Sequence, residues 1–294
     1  MSLPVQILQF MITGLTTGST YALIAIGFSI IHNATGIVNF AQGEFVMLGG
    51  MLMVTFFSSL KLPMVLAFVL TVFSVAVVGL LLEWGPLRHA KSKEILVLVM
   101  ITVGASIAIK ALSMIFWGKN AMTLPPFSGE VPFILLGAAI MPQSLWIIGI
   151  TISVVAALNY FFKRTLTGKA MRAVAASRRS AVLTGIPVDR MVFLSFALSG
   201  GLGAVAGIVL TPITTTSFDV GMMLGLKGFS AAILGGYGSM PGAVVGGLLL
   251  GALESLAAGL VSSEYKDALA FLILLVVLFY KPSGILGRGT LRRV

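Results

Sequence analysis

Apolar runs long enough to cross a bilayer, about 20 residues each, recur along the chain at roughly 6–31, 43–60, 63–82, 95–117, 142–162, 191–212, 241–261 and 267–280. A shorter run, broken by glycines, lies at 222–238. The pattern predicts an all-α, polytopic transmembrane bundle of about eight to nine membrane segments forming one domain over 1–294. The polar positions sit mostly between the runs and are strongly biased in sign. Arg88, Lys91 and Lys93 follow the third run. Lys163, Arg164, Lys169, Arg172, Arg178, Arg179 and Arg190 follow the fifth. Lys281, Arg288, Arg292 and Arg293 form the tail, 281–294. Basic loops stay on the cytoplasmic side, so all three are expected there. The stretch 118–141 carries only Lys119 and Glu130 among several prolines and is expected outside.

Parity then constrains the topology. The sixth run must end outside near Pro212, and the last must end inside. Something between 213 and 240 has to return to the cytoplasmic side, and Gly221–Met240 is the candidate. It is too rich in glycine for a simple lipid-facing helix, so a broken or half-length helix packed inside the protein is expected. Counting back places the N-terminus outside. The first run has no basic stretch before it and no small-residue cleavage site after it, so it is expected to be retained. The halves then run in opposite directions. Each has a long span followed by a glycine-rich second element, GIVNFAQGEFVMLGG at 36–50 and GLKGFSAAILGGYGSMPG at 225–242. Inverted repeats with interrupted helices at their interface are a transporter architecture.

Composition narrows the class further. Mean hydropathy is +1.08, 58% of residues are hydrophobic and 10% are charged, against about a quarter charged in soluble proteins. The formal net charge of +10 belongs to loops rather than to a nucleic-acid-binding face. There is no cysteine, and His32 and His89 are the two imidazoles, so neither a thiolate site nor a His-based metal centre is expected. Gly14 and Gly18, Gly203 and Gly207, and Gly242 and Gly246 are each four apart, a spacing that lets helix backbones approach closely.

Two stretches carry candidate chemistry. On a helix, Asn39, Gln42 and Gly43 share one face of 36–50, while Glu44 points elsewhere. Amides beside lipid must be buried in protein or face a water-filled path, so these residues either line a translocation path or pin neighbouring helices. The second stretch is Leu166–Arg190. An apolar pattern of helical period runs through it with arginines interleaved, Gly185 is a plausible C-cap, and Pro187 follows. A short cytoplasmic amphipathic helix of this kind lies on anionic lipid or docks in a partner's groove. Lys110, Lys227 and Glu254 fall within apolar runs. Lys110 is expected to snorkel, and Glu254 to pair with a lysine. No GxxxxGK[ST] or HExxH pattern occurs, so the chain is expected neither to hydrolyse ATP by that route nor to be an enzyme.

Three ordered motifs resemble one family. They are Gly14–Gly50, above all Asn39-Phe40-Ala41-Gln42-Gly43-Glu44; the loop Gly168–Gly185 with Lys169-Ala170-Met171-Arg172-Ala173; and Gly228–Gly247. The chain is similar, nearly end to end, to the permeases of bacterial ABC importers for branched-chain amino acids. The resemblance implies an inner-membrane subunit paired with a second, related permease. It also implies two cytoplasmic ATPase subunits that use ATP, docked at 163–190 on Gly168 to Ala173 and Gly185, and a periplasmic binding protein that delivers substrate. No cofactor is expected on this chain. The loop departs from the stricter Glu-Ala-Ala…Gly motif of many importers, so the contacts transfer approximately. Relatives that import urea or short amides are the alternative within the family. An ion-coupled secondary carrier is the alternative outside it; its uptake would survive ATP depletion and collapse with the ion gradient.

Overall fold

A computed structural model describes residues 3–287 apart from 136, 261 and 263; Arg288, Arg292 and Arg293, assigned above to the tail, lie outside the described residues. Every predicted run falls on a helix. The first half comprises α1 (Leu3–Thr35), α2 (Gln42–Val54), α3 (Met64–Leu82) and α4 (Ile95–Trp117). The connector holds α5 (Pro142–Arg164), α6 (Leu166–Ala176) and α7 (Arg178–Leu183). The second half comprises α8 (Val188–Thr214), α9 (Val220–Gly235), α10 (Met240–Leu260) and α11 (Lys266–Tyr280). Among the described residues, six helices are long and apolar enough to cross a membrane: α1, α3, α4, α5, α8 and α10. The shorter ones lean on their neighbours.

Both α2 and α3 end in a π-helical turn, Thr55–Ser59 and Glu83–Leu87. The second contains Pro86, which has no N–H to give an α-helical bond. In this wider turn the Arg88 N–H donates to the Glu83 carbonyl, five residues back, at 2.8 Å. The stretch 118–141 holds a feature the apolar pattern does not signal. Strands β1 (Phe133–Leu135) and β2 (Ala138–Ile140) pair antiparallel, with Phe133 opposite Ile140. The hairpin is fixed to α1, because the Gln9 side chain bonds both the N–H and the carbonyl of Ala139.

The return predicted between 213 and 240 is made by α9. Its 16 residues give about 24 Å at 1.5 Å per residue, short of the roughly 30 Å hydrocarbon core. Thr216, just before α9, bridges to Met122 beside the hairpin end of the bundle. Gly238, just after α9, accepts a hydrogen bond from Asn33 at the far end of α1. The chain therefore changes ends across α9. The helix itself is continuous; the interruption lies at the C-terminal edge of the predicted interval, where Gly236 and Gly238 take positive φ and α10 turns back.

Pairing among the helices shows an inverted repeat. α1 runs along α10, and α8 along α3; α2 packs on α8, and α9 on α1. α1 meets α8, α2 meets α9, α2 meets α4, and α9 meets α11. Exchanging α1–α4 with α8–α11 maps this set onto itself. α1 and α8 are apolar on all sides and buried along most of their length, as expected of core helices. α3 shows what a lipid environment selects. It turns Ala67, Thr71, Val75 and Gly79 inward and leaves Val65, Leu66, Val69 and Phe73 exposed. Lipid supplies no hydrophobic drive between helices, so small residues are used where close packing must hold them.

The glycine pairs lie at such contacts. A Cβ at Gly14 would fall 2.9 Å from the Gly251 carbonyl oxygen of α10, and one at Gly18 would fall 2.8 Å from that of Gly247. Gly203 and Gly207 meet Phe45 and Val46 of α2, and Gly242 and Gly246 meet Gly235 and Ala231 of α9.

Candidate functional site

Between α1 and α2 the chain leaves helical geometry while staying inside the bundle. Ile37, Asn39 and Ala41 are buried, although 36–41 is not helical. Non-helical backbone at this depth must be satisfied by protein. The Asn39 Oδ1 accepts the Ala41 N–H at 3.2 Å and opens α2. Thr102 of α4 accepts the Phe40 N–H at 3.1 Å, and its hydroxyl lies 3.4 Å from the Val38 carbonyl oxygen. One threonine on α4 thus serves a segment about 60 residues away.

The first turn of α2 then sends each side chain to a different neighbour. Gln42 reaches α8, where its Nε2 donates to the Ser199 carbonyl at 3.2 Å and its Oε1 takes the Ser199 hydroxyl. That hydroxyl also lies 3.0 Å from the Gly27 carbonyl of α1, so the amide pins three helices. Gly43 faces α9, with Gly221 and Gly225 against it. Glu44 reaches α4, where Ser106 donates to its Oε1 at 3.0 Å. Asn39, Gln42 and Glu44 are all at most 1% exposed. The structure brings the predicted group together and seals it. The Asn39 Nδ2 and the Glu44 Oε2 are left without a hydrogen-bond partner.

Gln42→Leu should lower stability by about 1–3 kcal/mol, the cost of stranding buried partners. Thermal unfolding of the purified chain in detergent measures this, and an unchanged midpoint would refute the pin.

A second polar cluster holds the opposite half. Tyr21 of α1 donates to the Glu254 Oε2 at 2.8 Å. Lys227 of α9 lies 2.7 Å from the Glu254 Oε1 of α10 and 2.7 Å from the Asp267 Oδ1 of α11. The lysine sought for Glu254 is therefore Lys227. Tyr21 and Asp267 are members that sequence reasoning missed, and no spacing along one helix could have found them. The halves match here too: Glu44 joins α2 to α4, as Lys227 joins α9 to α11. Lys110 reaches toward the hairpin end of the bundle, with its Nζ 5.7 Å from the Phe218 ring centre.

The basic stretch after α5 folds as two helices rather than one. Ser177, extended at φ −163°, ends α6 and caps α7 by accepting the Ser180 N–H. Serine's strength as an N-cap was the available signal. Gly168 lies where α6 turns against the Phe161 carbonyl, leaving no room for a side chain. Gly185 closes α7 at φ 78°. The apolar face of α6 needs neither lipid nor a partner, because Met171 and Val174 are buried in this chain's own core and Ala170 packs against it. Lys169 and Arg172 stay exposed, Ala173 is half-buried, and Leu166, Val182 and Leu183 project outward.

Two interlocked, inverted halves packed around a sealed polar centre have the architecture of a membrane transporter. The chain belongs to the family described as the branched-chain amino acid transport system / permease component, whose profile matches residues 10–278. It is 34% identical to the high-affinity branched-chain amino acid transport system permease protein LivH of Escherichia coli, over 98% of this chain and 97% of that protein. It is 33% identical to the BraD permease protein of the same description from Pseudomonas aeruginosa, over 98% of each. Among solved structures it is similar to PsaBC from Streptococcus pneumoniae in complex with Fab, at 14% identity and a TM-score of 0.48, over 96% of this chain and 92% of that one.

Proposed function

We propose that this chain is one permease subunit of an ATP-driven importer that carries branched-chain amino acids across the bacterial inner membrane. The observation that carries the reading is the family match over residues 10–278, with near end-to-end likeness to LivH and BraD. The chain is a single permease domain with its N-terminus outside and its tail inside. It pairs with a second, related permease, takes substrate from a periplasmic binding protein, and is driven by ATP used on two cytoplasmic ATPase subunits. The basic loop sign supports that orientation.

In this reading α6 and α7 are the coupling element. α6 is rooted in the core by Met171 and Val174, so a push on its outer face moves α5 and α8 with it. Gly168 and Gly185 shape the two turns, and Val182 and Leu183 offer the ATPase an apolar contact beside Arg178 and Arg179. Asn39, Gln42, Gly43 and Glu44 form a wall sealed in this conformation. Alternating access is a shift between two packings of the halves, and the unpartnered Asn39 Nδ2 and Glu44 Oε2 are the groups with bonding capacity to offer when that wall opens.

The test is reconstitution. Proteoliposomes holding both permeases and both ATPases, given binding protein and ATP, should accumulate labelled leucine; the absence of ATP-dependent amino acid uptake would overturn the reading. Leu183→Asp should reduce ATPase co-purification and uptake at least about tenfold, as loss of a central apolar anchor does, with the unfolding midpoint unchanged. Full ATPase retention would remove α7 from the coupling role.

A further inference from the structure

A groove of about 990 Å³ runs between α1, α5 and α10 and is floored by α6 and α8. It contains none of the four residues of the α2 wall. Along α1 it follows one face, Leu15, Ser19, Ala22, Ile26, Ser29 and Asn33, a stripe of about 27 Å at 1.5 Å per residue.

The polarity of this groove is graded. Its length is apolar, and the hydroxyls of Ser19 and Ser195 are turned back onto the Leu15 and Met191 carbonyls of their own helices. The charge gathers at one end, where Asn33 and Asn159 sit with Lys163 and Arg172. Both cations are exposed and form no salt bridge among the described residues. No acidic residue lies anywhere from 163 to 188. One turn further in than Asn33, about 6 Å along the axis, the buried Ser29 Oγ has no hydrogen-bond partner.

We infer that this groove holds an anionic glycerophospholipid of the cytoplasmic leaflet. Its phosphate sits against Lys163 and Arg172, its ester oxygens lie at the level of Ser29, and its acyl chains extend along α1 between α5 and α10. Basic pockets between transmembrane helices on the cytoplasmic side recognise such headgroups. The one-ended charge selects this occupant. An amino acid in transit needs polar partners around both its ammonium and its carboxylate, and the groove offers two cations and no anion. A transmembrane helix from another subunit gives no reason for a cationic pair at one end over an unpartnered hydroxyl.

The experiment is native mass spectrometry of the purified chain, and of the assembled importer, after exchange into vesicles of phosphatidylcholine with phosphatidylglycerol. The expected result is one retained phosphatidylglycerol per chain in both forms. Lys163→Gln with Arg172→Gln should weaken its retention about thirtyfold, at about fivefold per charge removed. Ala156→Trp, which fills the groove from its exposed side, should remove the lipid whatever its charge. Equal retention of phosphatidylcholine, or phosphatidylglycerol binding unmoved by both variants, would overturn the inference. Loss of the lipid on assembly would give the groove to a neighbouring subunit instead. Retention is read without transport, so it stands or fails independently of the import assay.

Discussion

Replacing Gly43 with valine should cut leucine uptake to below roughly a tenth and lower the unfolding midpoint, since overpacking a close contact costs about 1–3 kcal/mol or more. Gly43 is where α2 and α9 cross. A Cβ there would overlap the Gly221 carbonyl and lie 2.8 Å from the Gly225 nitrogen. Both obstacles are backbone, so no side chain can swing aside; one of the two helices has to move. Gly149→Val is the control, because nothing lies within 4 Å of its Cβ position. Uptake and unfolding should both match the parent there. Wild-type uptake in Gly43→Val would mean that the crossing is loose, and the view of α2 and α9 as one paired wall would fail with it.

The other large effect is expected at Lys227. With its side chain 9% exposed, it faces Glu254, also 9% exposed, and Asp267, 31% exposed. Lys227→Met leaves two carboxylates without their cation, one deeply buried. Breaking such a pair from one side costs about 3–5 kcal/mol, whereas replacing all the charges can be close to neutral. Lys227→Met should therefore unfold far more readily, and Lys227→Met with Glu254→Gln and Asp267→Asn should recover most of the loss. Denaturant titration of all three proteins in the same detergent decides this. A triple variant no more stable than the single one would mean that the lysine acts by packing rather than by charge.

The sequence carried the helices more readily than their partners. Apolar run length located the helices, because bilayer thickness imposes it, and among the described residues six of them are long and apolar enough to span. Loop charge and parity required α9 to change ends, and Gly236 and Gly238 stop it near where the glycine-rich composition suggested. What the sequence hid was mostly contact between helices. Spacing along α10 places Glu254 on a face but cannot say that Lys227 and Tyr21 face it. It groups Asn39 with Gln42 and cannot reveal that Ser199, 157 residues on, takes up the Gln42 amide. The π turn at Pro86 and the small hairpin at 133–140 were missed for a local reason: neither disturbs an apolar pattern. Leu166–Arg190 read as one helix because the break at Ser177 costs a single residue of period.

The interlocking of α1 with α10 also bears on how the protein is made. Gly18 and Gly247 meet at that crossing, about 230 residues apart along the chain, which at about 5–20 residues per second is roughly 10–45 s of synthesis. Throughout that interval α1 lies in the bilayer with its glycine face unmatched. The first half cannot complete its own packing, because its longest helix is waiting for the third helix of the second. Assembly is then deferred almost to the end of translation, and a chain cut short before residue 240 leaves its central helix without the neighbour it was shaped to meet.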